Sequence, residues 1–354
     1  MKQKILTVIV PTYNMENYLK KDLDSLIISE GLENVEVIVV NDGSRDKSLD
    51  IATEYAEKYP YVFRIIDKPN GNYGSCINAA LRIASGKYIK IMDADDSFDT
   101  DNFETLVAEL ATIDVDIVFT DYIKTYTNGK IISYSFDLPI RKKSRIEDVY
   151  KTSAFYNILL PALTYRTSML REMGYRQTEG VSYSDLEWCF SPVTEAKTVY
   201  YSNICVYKYL LGREGQTMDP VVYSKSIPQR IICFSSMLKS IAGKSLSDYM
   251  IHFTTEQLVK HAFYIYEYFL IKNPSADRAL LYEFDGEFKQ YNLKAYERCD
   301  KFMYRLHIPY PYVTKWRCNN IKQIPWLVRV CGKLLDVIGS IHVKMMRSNP
   351  NEER

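Results

Sequence analysis

Short apolar runs alternate with stretches of helical periodicity through roughly residues 5–120. Residues 5–10, 35–40, 62–66, 89–92 and 115–119 are rich in Val, Ile and Phe and read as buried strands. Between them, Tyr18, Leu19, Leu23, Leu26 and Ile27 keep helical spacing and predict a helix over 16–28. Further helices are expected at about 46–58, at 75–84 (Ile77, Ala80, Leu81 and Ala84 on one face) and at 101–110. Strands alternating with helices predict an α/β fold, a mostly parallel sheet with helices on both faces. Residues 121–137 read as a hairpin, and Asn128-Gly129 predicts a type I′ turn. Strand and helix signals mix from there to Leu211. After about Ser224 amphipathic segments dominate, for example 256–271 and 324–346, and predict a mainly helical C-terminal region. The expected division is residues 1–223 and 224–354.

Each early strand run stops on a polar cluster. The clusters are Pro11-Thr12-Tyr13-Asn14, Asn41-Asp42-Gly43-Ser44, Lys68-Pro69-Asn70-Gly71-Asn72-Tyr73-Gly74 and Asp93-Ala94-Asp95-Asp96. Open α/β sheets bind ligands outside the carboxyl ends of their strands, so four such clusters predict a nucleotide site. Carboxylates crowded at one strand end repel and call for a counter-charge. A hard divalent cation, Mg²⁺ or Mn²⁺, suits one or two of them plus phosphate oxygens. A polar turn leading to a helix capped by Asp99 or Thr100 accounts for the same residues. Gly71 and Gly74 would let backbone approach a ligand. Lys68 reads as a surface lysine, with phosphate contact as the alternative.

Composition narrows the classes. Net charge is +1 over 354 residues, so no global field argues for nucleic acid. Seven cysteines without a C-x-x-C pair suggest reduced thiols in the cytosol. The apolar run after Met1-Lys2-Gln3-Lys4 ends at Pro11, too short for a signal peptide, and reads as a first core strand. No run reaches the ~18 apolar residues of a membrane span. His252, His261, His307 and His342 show no zinc spacing, and neither a G-x-S-x-G elbow nor a Walker loop is present. Thirty tyrosines name no ligand by themselves.

Together the four clusters, extended to Val8-Ile9-Val10 before Pro11 and Val39-Val40 before Asn41, resemble the family 2 glycosyltransferases over roughly residues 4–215. The resemblance implies the GT-A fold. It implies donor-nucleotide contacts from Pro11, Thr12, Tyr13, Asn14, Asp42, Asn70, Gly71, Gly74, Asp93, Ala94 and Arg213, and a divalent metal at Asp93 and Asp95. Tyr13 would offer an aromatic surface to a base and Asp42 an acceptor for its imide N–H. The general base would come from Tyr183-Ser184-Asp185-Leu186-Glu187-Trp188, where Ser184 replaces the family's usual acid. Asp185 takes the base position and Glu187 is its rival; Ser184-x-x-Glu187 also fits a capping box. Residues 212–216 resemble a loop that closes over the diphosphate.

The implied activity is inverting transfer of a sugar, from a donor of the UDP-hexose kind to a hydroxyl of a free or lipid-linked glycan. Its setting would be cell-surface polysaccharide or glycoconjugate synthesis, in the cytoplasm or at the inner face of the membrane. A sugar-phosphate nucleotidyltransferase and a non-catalytic glycan-binding protein of the same fold are the alternatives. Near the C-terminus, Ile324, Leu327, Val328, Cys331, Leu334, Leu335, Ile338 and Ile341 form a stripe beside Arg329, Lys333, Lys344 and Arg347. Packing on the helical region is the favoured reading of that stripe, and peripheral membrane contact over 324–347 the other.

Overall fold

The computed structural model describes residues 4–213, 226–273, 276–301 and 311–319, with Val330 and Leu334 as isolated positions. The chain splits into two compact units, Met1–Leu211 and Gly212–Arg354.

The first unit is built on a ten-stranded mixed sheet with helices on both sides. Its strands are β1 (Leu6–Thr12), β2 (Val35–Asn41), β3 (Phe63–Asp67), β4 (Tyr88–Ile91) and β5 (Ser97–Phe98). They continue as β6 (Ile117–Tyr126), β7 (Ile131–Tyr134), β8 (Lys143–Arg145), β9 (Leu163–Arg166) and β10 (Thr198–Leu211). The order is β3-β2-β1-β4-β9-β6-β10-β5, with β7 beside β6 and β8 beside β10. All of β2 and nearly all of β1 are buried, as strands covered on both faces must be. β1 to β4 pair in parallel, so the chain runs outward through β2 and β3 and returns to the far side of β1. That return makes the carboxyl ends of β1 and β4 the switch point where such sheets bind ligands.

The sheet departs from simple alternation at β9, which lies antiparallel between β4 and β6. Its partners come from far along the chain (Tyr88 opposite Arg166, Ile117 opposite Tyr165), and periodicity within one short strand carries no such information.

Helices α1 (Leu19–Asp24), α2 (Ser48–Lys58), α3 (Asn72–Ile83) and α4 (Thr100–Thr112) connect the early strands. Short helices α5 (Ile146–Val149), α6 (Ser153–Tyr156), α7 (Thr167–Glu172) and α8 (Asp185–Trp188) follow. Three expectations are corrected. The first helix is shorter than 16–28, because Leu26 and Ile27 bond back to Leu23 and Asp24 in a tightened turn while Leu26 stays buried. The third begins at Asn72 rather than Ser75, which puts Gly74 in its first turn. The hairpin forms, pairing Tyr122 with Tyr134, but its turn is not type I′. Gly129 has φ 83° while Asn128 is absent from the positive-φ residues, and type I′ needs both. Asp99 caps α4, accepting the Asn102 N–H.

The second unit is helical. Its helices are Ile227–Ile241, Asp248–Glu267 (continued by a π-turn, Tyr268–Lys272), Arg278–Tyr291, Leu293–Lys301 and Tyr312–Asn319. Phe234, Tyr266, Phe284 and Phe288 meet edge-on at its centre, with centroids 5.0–5.2 Å apart. No described helix is long and apolar enough to cross a membrane. The stripe over 324–347 lies outside the described residues apart from Leu334.

Candidate active site

At the end of β1, Thr12 is buried and turns its hydroxyl back to the Val10 carbonyl at 3.1 Å. Tyr13 is 45% exposed, so its ring stands open. Asn14 takes φ 54° and is fastened to the neighbouring cluster: its N–H donates to Ser44 Oγ at 3.0 Å and its Oδ1 accepts the Arg45 N–H at 2.8 Å. Asn tolerates this left-handed conformation better than most side chains.

Asp42 is almost fully buried beside the end of β1, its N–H donating to the Thr12 carbonyl at 2.8 Å. Its Oδ1 accepts the Gly71 N–H at 2.9 Å and is paired with the Lys68 ammonium. Asn70 closes the arrangement by donating to the Asp42 carbonyl at 3.0 Å. Lys68 is therefore not a surface lysine: it joins Asp42 to Ser75 Oγ (2.8 Å) and neutralises a buried carboxylate. The two glycines differ in purpose. A Cβ on Gly71 would lie 2.7 Å from Ser75 Oγ, beside Lys68 Nζ, within this cluster. One on Gly74 would strike the Thr178 carbonyl at 2.1 Å, so Gly74 serves the packing of α3 on residues 177–178.

Beyond β4 the chain turns through the acids. Asp93 and Asp95 are half-buried, and Ala94 and Asp96 are buried. Asp96 is held from β10, its Oδ2 by the Tyr207 hydroxyl at 2.7 Å and its Oδ1 by the Leu210 N–H at 2.7 Å. Burial, then the charges of Asp95 and Asp93, push its carboxyl well above the usual range. Tyr207 also accepts the Asp93 N–H at 3.0 Å, so one side chain fixes both ends of the turn. From α3, Tyr73 donates to Asp93 Oδ1 at 2.7 Å. Beneath the turn Asp22 of α1 is wholly buried, and neither of its oxygens has a hydrogen-bond partner. Burial first, and then Asp96, Asp95 and Asp93, raise its carboxyl well above the ordinary range. Among the described residues no group of three or more His, Cys, Asp or Glu forms a cage for a metal. The half-buried Asp93 and Asp95 instead fit a cation that takes one or two carboxylates and completes its shell with substrate phosphate.

Asp185 opens α8 and is half-buried. Its charge is felt at Tyr73, after burial and Asp93, and at Tyr209, after burial, Asp96 and Asp93; both phenols are pushed up. Asp185 and the acid turn thus act on the same two hydroxyls. Glu187 is buried, and its Oε2 accepts the Thr178 N–H at 3.0 Å, which ties it to the segment packed on Gly74. The capping box does not form: Ser184 donates to Gln177 Oε1 at 3.1 Å and no side chain caps α8. Arg213 belongs to the second unit, and residues 214–216 of the expected loop lie outside the described residues.

Residues 7–172 match the family model described as glycosyl transferase family 2. The matched stretch makes up most of the first unit, which carries a family 2 glycosyltransferase domain. The glycosyltransferase GlyA of Streptococcus pneumoniae is 40% identical over 117 residues, 33% of this chain and 16% of GlyA. The minor teichoic acid biosynthesis protein GgaB of Bacillus subtilis is 42% identical over 102 residues, 28% of this chain and 11% of GgaB. The match thus spans about a sixth or less of these relatives' own length, 16% and 11%. S. aureus TarS 1-349 in complex with UDP-GlcNAc has the same fold, with TM-score 0.67 and 18% identity over 96% of this chain and 90% of that one.

Sequence reasoning about the family 2 domain missed Asp22, Lys68, Tyr73, Tyr207 and Tyr209. Tyr207 and Tyr209 point to one face of β10, as alternate residues in a strand do. The long pairing of β10 with β6 brings that face to the acid turn. Lys68 and Tyr73 carried a local signal, since both stand inside the Lys68–Gly74 cluster.

Proposed function

We propose that the chain is an inverting glycosyltransferase that moves a sugar from a nucleoside diphosphate to a hydroxyl of a glycan. The observation that carries the reading is the grouping of Asp42, the Asp93–Asp95 turn and Asp185 around the ends of β1 and β4. Tyr13 and Asp42 would receive the nucleotide base. Asp93 and Asp95 would hold Mn²⁺ or Mg²⁺, which when bound neutralises charge developing on the diphosphate. Asp185 takes the proton of the acceptor hydroxyl as its oxygen bonds to the anomeric carbon; the bond to the diphosphate breaks on the opposite face, and the configuration inverts. Glu187, held by the Thr178 N–H, has a structural part.

The donor is of the UDP-hexose class, a reading supported by the UDP-GlcNAc in the structure of TarS. The acceptor is a cell-surface glycan or its lipid-linked precursor, in keeping with a relative named for teichoic acid biosynthesis. Release of nucleoside diphosphate from a panel of sugar nucleotides with Mn²⁺ or Mg²⁺ tests this. Turnover of a UDP-sugar that stops in excess EDTA and returns with metal is expected. Full activity in EDTA removes the metal from the reading, and no turnover of any sugar nucleotide removes the reading itself.

A further inference from the structure

We infer that Tyr73 is a positioning residue for donor binding, holding the Asp93 carboxylate in place relative to Asp42 through the left-handed start of α3. The inference rests on the donor site proposed above and concerns how that site is kept in register.

Asp42 and Asp93 follow different strands, β2 and β4, with β1 between them. A nucleoside seated at Asp42 must deliver its ribose and diphosphate to the Asp93 turn, so the separation of the two acids matters to affinity. One segment touches both. The Gly71 N–H donates to Asp42 Oδ1 at 2.9 Å, and two residues later the Tyr73 hydroxyl donates to Asp93 Oδ1 at 2.7 Å. Between them Asn72 sits at φ 64°, a reversal that lets the backbone face one strand end and the next side chain the other. The segment is braced from several sides. Ser75 Oγ donates to the Asn72 carbonyl at 2.6 Å, Lys68 Nζ donates to Ser75 Oγ at 2.8 Å, and the Gly180 N–H donates to the Gly71 carbonyl at 2.9 Å. Phenylalanine would fill the same space, so a role in packing alone does not require the hydroxyl.

The test is calorimetric titration of the full chain with UDP and Mn²⁺, for wild type, Tyr73→Phe, Asp93→Asn and the double variant, alongside donor kinetics. Loss of a hydrogen bond to a charged group predicts UDP binding about tenfold weaker in Tyr73→Phe. Donor KM should rise in step, with kcat within about threefold and the thermal midpoint within about 2 °C of wild type. On the Asp93→Asn background the same change should add less than about twofold, because its partner is already altered. Wild-type affinity in Tyr73→Phe, or a full additive loss on Asp93→Asn, overturns the positioning role while leaving the donor site standing. A wild-type chain that binds no UDP overturns the donor site and the inference with it.

Discussion

Asp22 shows how one side chain registers the whole site. Its carboxyl has no hydrogen-bond partner and lies near three other acids, and burial first, then those charges, push it well above the usual carboxylate range. Its folded pKa is raised, so its effect is absent below the unfolded value and stability falls as pH climbs above it. Asp22→Asn should therefore match wild type near pH 3.5. By pH 7.5 it should be the more stable of the two. Urea denaturation at the two pH values checks this, and equal midpoints at pH 7.5 would contradict it. The base assignment belongs to the same scale. Asp185→Asn should lower turnover about 10²–10⁴-fold with donor affinity nearly unchanged, while Asp95→Ala should lose donor binding as well. Glu187→Gln should chiefly loosen its link to Thr178. A dead Glu187→Gln beside an active Asp185→Asn would exchange the two roles.

Among the elements, α3 does the most to join site to scaffold. Its first turn reaches Asp42 and Asp93, and its inner face packs on residues 177–178 through Gly74. Asn78 extends that contact, donating to the Gln177 carbonyl at 2.8 Å and accepting the Gln177 N–H at 2.9 Å. Gly74→Ala would press a methyl group against backbone that cannot swing away. We expect a loss of about 1–3 kcal/mol in urea unfolding, with weaker UDP binding because the helix start shifts. An unchanged midpoint would show that α3 can slide. The Asn70–Gly74 run pointed to this element from the start, as a ligand loop. That Gly74 is a packing residue was not legible, because its neighbour lies about a hundred residues onward.

For the whole molecule, the two units rest on different interactions. In the second, Arg317 is nearly buried, donating to Asp285 Oδ1 at 2.9 Å, the Tyr266 hydroxyl at 2.7 Å and the Tyr296 carbonyl at 3.0 Å. It joins the last described helix to three others, and Arg317→Met should leave the partly buried Asp285 without its cation. A loss of about 3–5 kcal/mol in the unfolding of this unit is expected, read by calorimetry; an unmoved transition would show the network to be dispensable. Local chemistry determined a good deal of this protein. Apolar runs placed the strands because a doubly covered parallel strand must be continuously hydrophobic, and the polar clusters marked where those runs end. Tertiary structure decided what separate segments do together. The insertion of β9, the tyrosines of β10 on the acid turn, Lys68 against Asp42 and the burial of Asp22 each depend on residues distant in sequence. Periodicity reports which face of an element is apolar; it does not report which other element covers that face.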